Sequence, residues 1–290
     1  MNDTFGFDPE KLKSSLDRIH AEEQLEKTPE NLKLIFSLID LTSLNTGDTN
    51  AYITGMCVKL NGFREQFPGV PDVAAICVYP SLVPAVKENL RVRSVRIASV
   101  AAGFPSSQTY LAVKEMESRM AVEAGADEID IVISVGKYLE NDLDTVCEEI
   151  RRIKKVVFPA RLKVILETGL IPEPAGVYRV SMACLGAGAD FIKTSTGKIQ
   201  PAATPESVFT MCHAIKEYHM ETGRKAGIKP AGGIGTAEQA LAYASIVRSV
   251  LGEDWLTPEW FRIGASRLSN HVLSLIRRLE SSGTEEIHYF

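Results

Sequence analysis

The sequence predicts an α/β protein of the (β/α)8 TIM-barrel class with an N-terminal helical extension, and three observations carry that reading. The chain has 290 residues, and a barrel of this kind takes about 250, so one such domain plus a short extension uses up the length. Eight short apolar runs recur along it, each of a size that suits a buried parallel strand better than a helix. The segments between them have helical period. Strand and helix alternating in this way predict a closed parallel barrel, with an open doubly wound sheet as the structural rival.

In chain order the runs are LIFSLIDL (34–41), VAAICVY (73–79), VRIASV (95–100), EIDIVI (128–133), LKVILET (162–168), DFIKTS (190–195), AGIKPAG (226–232) and WFRIG (260–264). Between them, Val113, Met116, Met120 and Ala124 fall on one helical stripe. Leu143, Val146, Ile150, Ile153 and Val157 form a second stripe, and Ala237, Ala240, Leu241, Ala244, Val247 and Leu251 a third. Thr204-Pro205 reads as an N-cap with proline at the first helical position, and Thr236-x-x-Gln239 as a capping box. The first thirty residues, with DPEKLKSSLDRIHAEEQL, read as an added polar helix. The expected organisation is therefore an extension over 1–30 and a barrel over 31–290.

An internal echo adds register. Ala124-Gly125-Ala126-Asp127 precedes Glu128-Ile129-Asp130, and Ala187-Gly188-Ala189-Asp190 precedes Phe191-Ile192-Lys193. In each copy a glycine ends a helix, a strand begins, and a charged residue stands three places after the aspartate. Side chains alternate faces along a strand, so superposable copies put Asp130 and Lys193 on one face. These are the fourth and sixth strands, and alternate strands of a barrel share an inward layer.

Net charge is −5, from 32 basic and 37 acidic residues, with no basic run to suggest a nucleic-acid or membrane partner. The five cysteines have no C-x-x-C spacing, which points to a reducing compartment rather than to disulfides or metal. No apolar run approaches the roughly 20 residues that cross a bilayer, and MNDTFGFDPEKLK lacks a secretory apolar core. A cytoplasmic, soluble, metal-independent domain with no cofactor is the expectation.

Lys163, Lys193 and Lys229 lie within three successive strand-like runs, where lysine needs a partner or a route to water. Together they suggest a cationic site at the C-terminal mouth of a barrel. An amine crowded by ammonium groups and partly desolvated loses its proton more easily, and a neutral amine attacks carbonyls. Asp130, between Ile129 and Ile131, is the natural partner for such lysines. Asp40 ends an apolar run and reads either as a second site carboxylate or as a turn residue. The loops Thr194-Ser195-Thr196-Gly197-Lys198, Ala231-Gly232-Gly233-Ile234-Gly235 and Gly264-Ala265-Ser266 offer backbone N–H groups and helix starts to an anion, though each alone is also ordinary turn chemistry. Cys77 reads first as a small core residue. His213 and His219 do not share a helical face, and GAGAD (186–190) is not a dinucleotide fingerprint.

The motifs FIKTSTGK (191–198), GIKPAGGI (227–234), LKVILETG (162–169), GADEIDIV (125–132), IDLTSLN (39–45), AAICVYP (74–80) and FRIGAS (261–266) resemble the 2-deoxyribose-5-phosphate aldolase family over about residues 34 to 270. That resemblance implies a metal-free class I aldolase. It would reversibly cleave 2-deoxy-D-ribose 5-phosphate to acetaldehyde and D-glyceraldehyde 3-phosphate. It implies Lys193 as the Schiff-base lysine, Lys229 as the lysine that tunes it and Asp130 as the proton-handling carboxylate. Lys163 and Asp40 match further polar residues of the site, and Cys77 a cysteine beside it. Gly197, Lys198, Gly232, Gly233, Gly264 and Ser266 match phosphate loops, with Thr196 in the first of them. Three departures stand out. Gly235 occupies a place where many members have arginine, Arg267 one where many have serine or threonine, and Tyr289 is penultimate where the family often ends in tyrosine. The expected partners are small phosphosugar and aldehyde substrates, with homo-oligomerisation open. A different Schiff-base aldolase and a silent metabolite-binding barrel are the rival functions.

Overall fold

Eight parallel strands, β1 (Ile39–Thr42), β2 (Ala75–Val78), β3 (Arg96–Val100), β4 (Glu128–Val132), β5 (Arg161–Ile165), β6 (Phe191–Lys193), β7 (Gly227–Lys229) and β8 (Ile263–Ala265), form the frame of the computed structural model. The structure describes residues 9–281 and 286–290, so residues 1–8 of the expected extension lie outside it. Strands pair in sequence order from β1 to β7, and β8 pairs with β1. Between β7 and β8 two parallel bridges, Ile228–Phe261 and Ala231–Gly264, join the ends. This order makes a (β/α)8 barrel rather than the open sheet.

The echoed units superpose in role. Gly125 and Gly188 follow their helices with φ of 114° and 105°, a backbone that favours glycine. The aspartates that follow are structural: Asp127 Oδ2 accepts from Ile97 N at 2.9 Å and Asp190 Oδ2 from Leu162 N at 2.7 Å. Each ties the start of its strand to the preceding one and so fixes register.

Two sequence expectations need correction. Residues 34–37 of the first run belong to helix Pro29–Ser37, which buries Leu32, Ile35 and Phe36 on one face, and β1 begins only at Ile39. The stripe of Val113, Met116 and Met120 faces outward, with relative exposures of 49%, 48% and 58%. Helix Leu111–Glu123 instead buries Lys114, Ser118 and Ala121. Those side chains suit the inner face because Ser and Ala are small, and because the Lys114 ammonium meets Ser134 Oγ at 2.7 Å and Glu149 Oε2 at 2.9 Å. The stripe from Leu143 to Val157 does face the core. Both expected caps form, with Thr204 and Thr236 each in a capping box.

Helix Pro9–Glu22 places Leu12 and Ile19 in the core, and just beyond it buried Leu25 donates its N–H to Ser245 Oγ. The C-terminal tail also docks on the helical layer. Asn270 Oδ1 accepts from Tyr289 N and Phe290 N, and the Tyr289 hydroxyl donates to the Lys59 carbonyl at 2.7 Å. Lys59 is in the last turn of Asn50–Asn61, the helix that leaves β1. Tyr289 is thereby held at the end of that helix remote from the strand C-termini. Among the described residues no helix is long and apolar enough to cross a membrane.

Candidate active site

The barrel interior divides into two halves of opposite character. On the β2–β3 side, Ala75, Cys77, Ala98 and Val100, with Leu44 from the loop after β1, form a small apolar cluster bordered by Tyr79 and Phe104. On the other side stands a network of charge. Asp130 on β4 is at its centre: Oδ1 lies 3.0 Å from Lys163 Nζ, and Oδ2 lies 2.9 Å from Lys193 Nζ and 2.8 Å from Lys229 Nζ. The strand alternation that predicted an inward meeting of Asp130 and Lys193 therefore describes the geometry. Asp40 is buried with them. Its Oδ2 is 2.5 Å from Lys229 and 3.5 Å from Lys163, contacts of charge rather than of hydrogen-bond angle, and its Oδ1 accepts from Arg262 at 2.7 Å.

Arg262 and Glu128 complete the network, and sequence reasoning missed both. Arg262 Nη2 donates to Glu128 Oε1 at 2.7 Å, and Glu128 Oε2 lies 2.6 Å from Lys163 Nζ. Four cations (Lys163, Lys193, Lys229, Arg262) thus face three carboxylates (Asp40, Glu128, Asp130). Buried charge is tolerated when paired, so one cation is in surplus.

Burial and charge together identify the surplus one. Burial pulls the Lys163 ammonium toward neutrality, but Asp130, Glu128 and Asp40 outweigh it and hold its pKa above the ordinary value. For Lys229 burial is likewise outweighed, by Asp130 and Asp40, and its pKa is raised. Lys193 goes the other way: burial first, with the nearby Lys229 charge, lowers its pKa despite the pull of Asp130. Asp130, although burial disfavours its charge, is held well below the usual carboxylate range by Lys163, Lys193 and Lys229. Asp40 is lowered against burial by Lys229, Lys163 and Arg262. Of the three lysines only Lys193 keeps any exposure, 3% against 0%. Cys77 is buried, and burial raises its thiol pKa.

The loops after β6, β7 and β8 interlock. Thr194 Oγ1 accepts from Ala231 N and donates to Ala231 O. Gly232 has φ of 87°, and a Cβ there would stand 2.6 Å from Ala202 Cβ and 3.0 Å from Gly197 Cα. Gly264 is required by packing, since a Cβ would come 3.1 Å from Lys229 Cε and 2.8 Å from Ala231 Cβ. Gly233 is free of such neighbours and has φ of 76°. Lys198 Nζ reaches the Leu44 carbonyl at 2.6 Å, linking the loops after β6 and β1 across the mouth. Both Thr196 donors turn inward onto Glu167, a third residue the sequence reading passed over. Ser266 and Arg267 are exposed at the end of β8.

Comparison with known proteins follows the same lines. The model of the DeoC/LacD family aldolase matches residues 35–250. Deoxyribose-phosphate aldolase of Homo sapiens is 42% identical over 247 residues, covering 81% of this chain and 77% of the relative. The Bos taurus enzyme of that name is 41% identical over 241 residues, covering 79% and 76%. A tetrameric deoxyribose phosphate aldolase structure from Aeropyrum pernix superposes with a TM-score of 0.67 at 24% identity, over 94% of this chain and 97% of that one. At that identity the likeness is one of fold.

Proposed function

We propose a single reaction for this chain, which belongs to the DeoC/LacD family of aldolases: reversible cleavage of 2-deoxy-D-ribose 5-phosphate to acetaldehyde and D-glyceraldehyde 3-phosphate through an imine on Lys193. The observation that carries it is the singling out of Lys193, the one lysine of the network with a lowered pKa and some exposure. A neutral amine is the reactive form toward a carbonyl.

In the cleavage direction the Lys193 amine adds to the aldehyde carbon of the open-chain sugar, and loss of water leaves an iminium. The iminium accepts the electron pair of the C2–C3 bond as the C3 hydroxyl gives up its proton. The C3 fragment departs as the aldehyde of glyceraldehyde 3-phosphate and leaves an enamine. Protonation of the enamine carbon and hydrolysis of the iminium release acetaldehyde and restore Lys193. Asp130, through a water and with Lys229, moves these protons. Its distances of 2.9 Å to Lys193 and 2.8 Å to Lys229 support that role. Lys163 and Asp40 hold Asp130 and Lys229 ionised in place. Cys77 and its small apolar neighbours wall the side on which the two-carbon fragment lies.

Gly197, Lys198, Gly232, Gly233, Ser266 and Arg267 receive the phosphate. Binding energy taken there, remote from the reacting carbons, helps the chemical step. The test is turnover: deoxyribose 5-phosphate should yield the two aldehydes in equal amounts, and Lys193→Ala should abolish the yield. Release of a different donor fragment, or full activity in Lys193→Ala, contradicts the proposal.

A further inference from the structure

Glu167 follows β5 at the barrel mouth. It is 1% exposed and adopts a left-handed backbone with φ of 55° and ψ of 56°, a conformation that costs a non-glycine residue free energy. Its carboxylate is as unusual as its backbone. Oε1 accepts from Thr196 N at 3.1 Å and Oε2 from Thr196 Oγ1 at 2.6 Å, and among the described residues no cation lies within ion-pair distance of it. A buried carboxylate served by two neutral donors and a strained backbone are both destabilising. Costs of that kind persist where the surrounding structure uses them.

The use lies in the next loop. Because the Thr196 hydroxyl donates to Glu167, its lone pairs face outward, and one accepts from Lys198 N at 3.1 Å. Both Thr196 donors are thus satisfied by Glu167 and the Lys198 N–H by Thr196, which leaves Gly197 N–H between them. The turn after β5 also moulds the loop at two other points. Thr168 N donates to Thr194 O, and a Cβ on Gly169 would stand 2.0 Å from Pro201 O.

We propose that Glu167 is a positioning residue of the phosphate loop. By holding both Thr196 donors it fixes Gly197 N–H, and the backbone that carries the Lys198 side chain, for the sugar phosphate. This rests on the reaction proposed above. Glu167 acts through Thr196 and does not touch substrate.

The experiment compares deoxyribose 5-phosphate with unphosphorylated deoxyribose in wild type, Glu167→Gln, Glu167→Gly, Thr196→Val and the Glu167→Gln/Thr196→Val double variant. Glycine suits the left-handed backbone, so Glu167→Gly removes the carboxylate even where the glutamine variant folds poorly. The ratio of kcat/KM for the phosphorylated over the unphosphorylated sugar should fall about ten-fold in Glu167→Gly, carried by KM. Glu167→Gln, which keeps an acceptor for Thr196 N–H, should fall less. The double variant should be no worse than the poorer single one, as expected of residues acting as a unit. An unchanged ratio, including one in which both substrates suffer equally, overturns the proposal, as does full additivity. A wild type inactive on deoxyribose 5-phosphate overturns the reaction itself, and this is seen before any variant is made.

Discussion

Lys193 and Lys229 stand side by side in the β6–β7 register, share Asp130 Oδ2, and yet have pKa values displaced in opposite directions. The difference is one of partners. Lys229 also has Asp40, whereas among the described residues Lys193 pairs with Asp130 alone and feels Lys229 as a repelling charge. In Lys229→Leu that repulsion is gone, so the Lys193 pKa should rise toward the free value of about 10.4. The sign follows directly: a higher pKa leaves less neutral amine at pH 7, by about ten-fold for each unit of rise. Turnover at neutral pH should fall and partly return in alkaline buffer. A pH–rate profile that keeps its shape in the variant contradicts this coupling. These residues were legible in the sequence because a charge inside an apolar run needs an explanation. Glu128 and Arg262 carried the same signal, Glu128 two places from Asp130 on the same strand face and Arg262 inside WFRIG. What hid them is that they pair across 134 residues of sequence, a contact that only barrel closure creates.

At the level of elements, periodicity located the strands but could not say which way a helix faces. Val113, Met116 and Met120 make an apolar stripe that turns outward, because close approach favours the small Ser118 and Ala121 on the inner side. Likewise residues 34–37 are apolar both as strand and as helix, and the turn of helix wins there. Glycine function was only partly legible. Gly264 makes room for the Lys229 stem, a packing constraint that its place in a loop motif did not reveal. Gly235 has no left-handed backbone, and among the described residues a Cβ there would meet no atom within 4 Å, so its loop can accept a larger residue. On the proposed reaction, exposed Arg267 at the end of β8 supplies the guanidinium that Gly235 does not. Arg267→Ser should raise KM for deoxyribose 5-phosphate by roughly ten-fold or more, since charge-assisted bonds to phosphate are strong. Unphosphorylated deoxyribose should be affected far less. Adding Gly235→Arg should recover much of the loss. Equal weakening of both substrates, or of neither, removes Arg267 from the phosphate site.

The charge network spans most of the barrel, since β1, β4, β5, β6 and β7 and the approach to β8 each contribute a charge to it. Arg262 sits beneath it as the clamp on Asp40 and Glu128. Removing one partner of a buried pair costs about 3–5 kcal/mol, so Arg262→Leu should lower Tm by roughly 10 °C. An unchanged Tm would mean that the remaining cations rebalance the two carboxylates without it. On the proposed reaction, a carbonyl is captured at Lys193 and nowhere else in the network. Borohydride reduction in the presence of acetaldehyde, followed by peptide mapping, measures this directly. The expected result is a single two-carbon adduct on the peptide containing Lys193, absent from Lys193→Ala. An adduct on Lys163 or Lys229, or none at all in an active enzyme, would contradict the account.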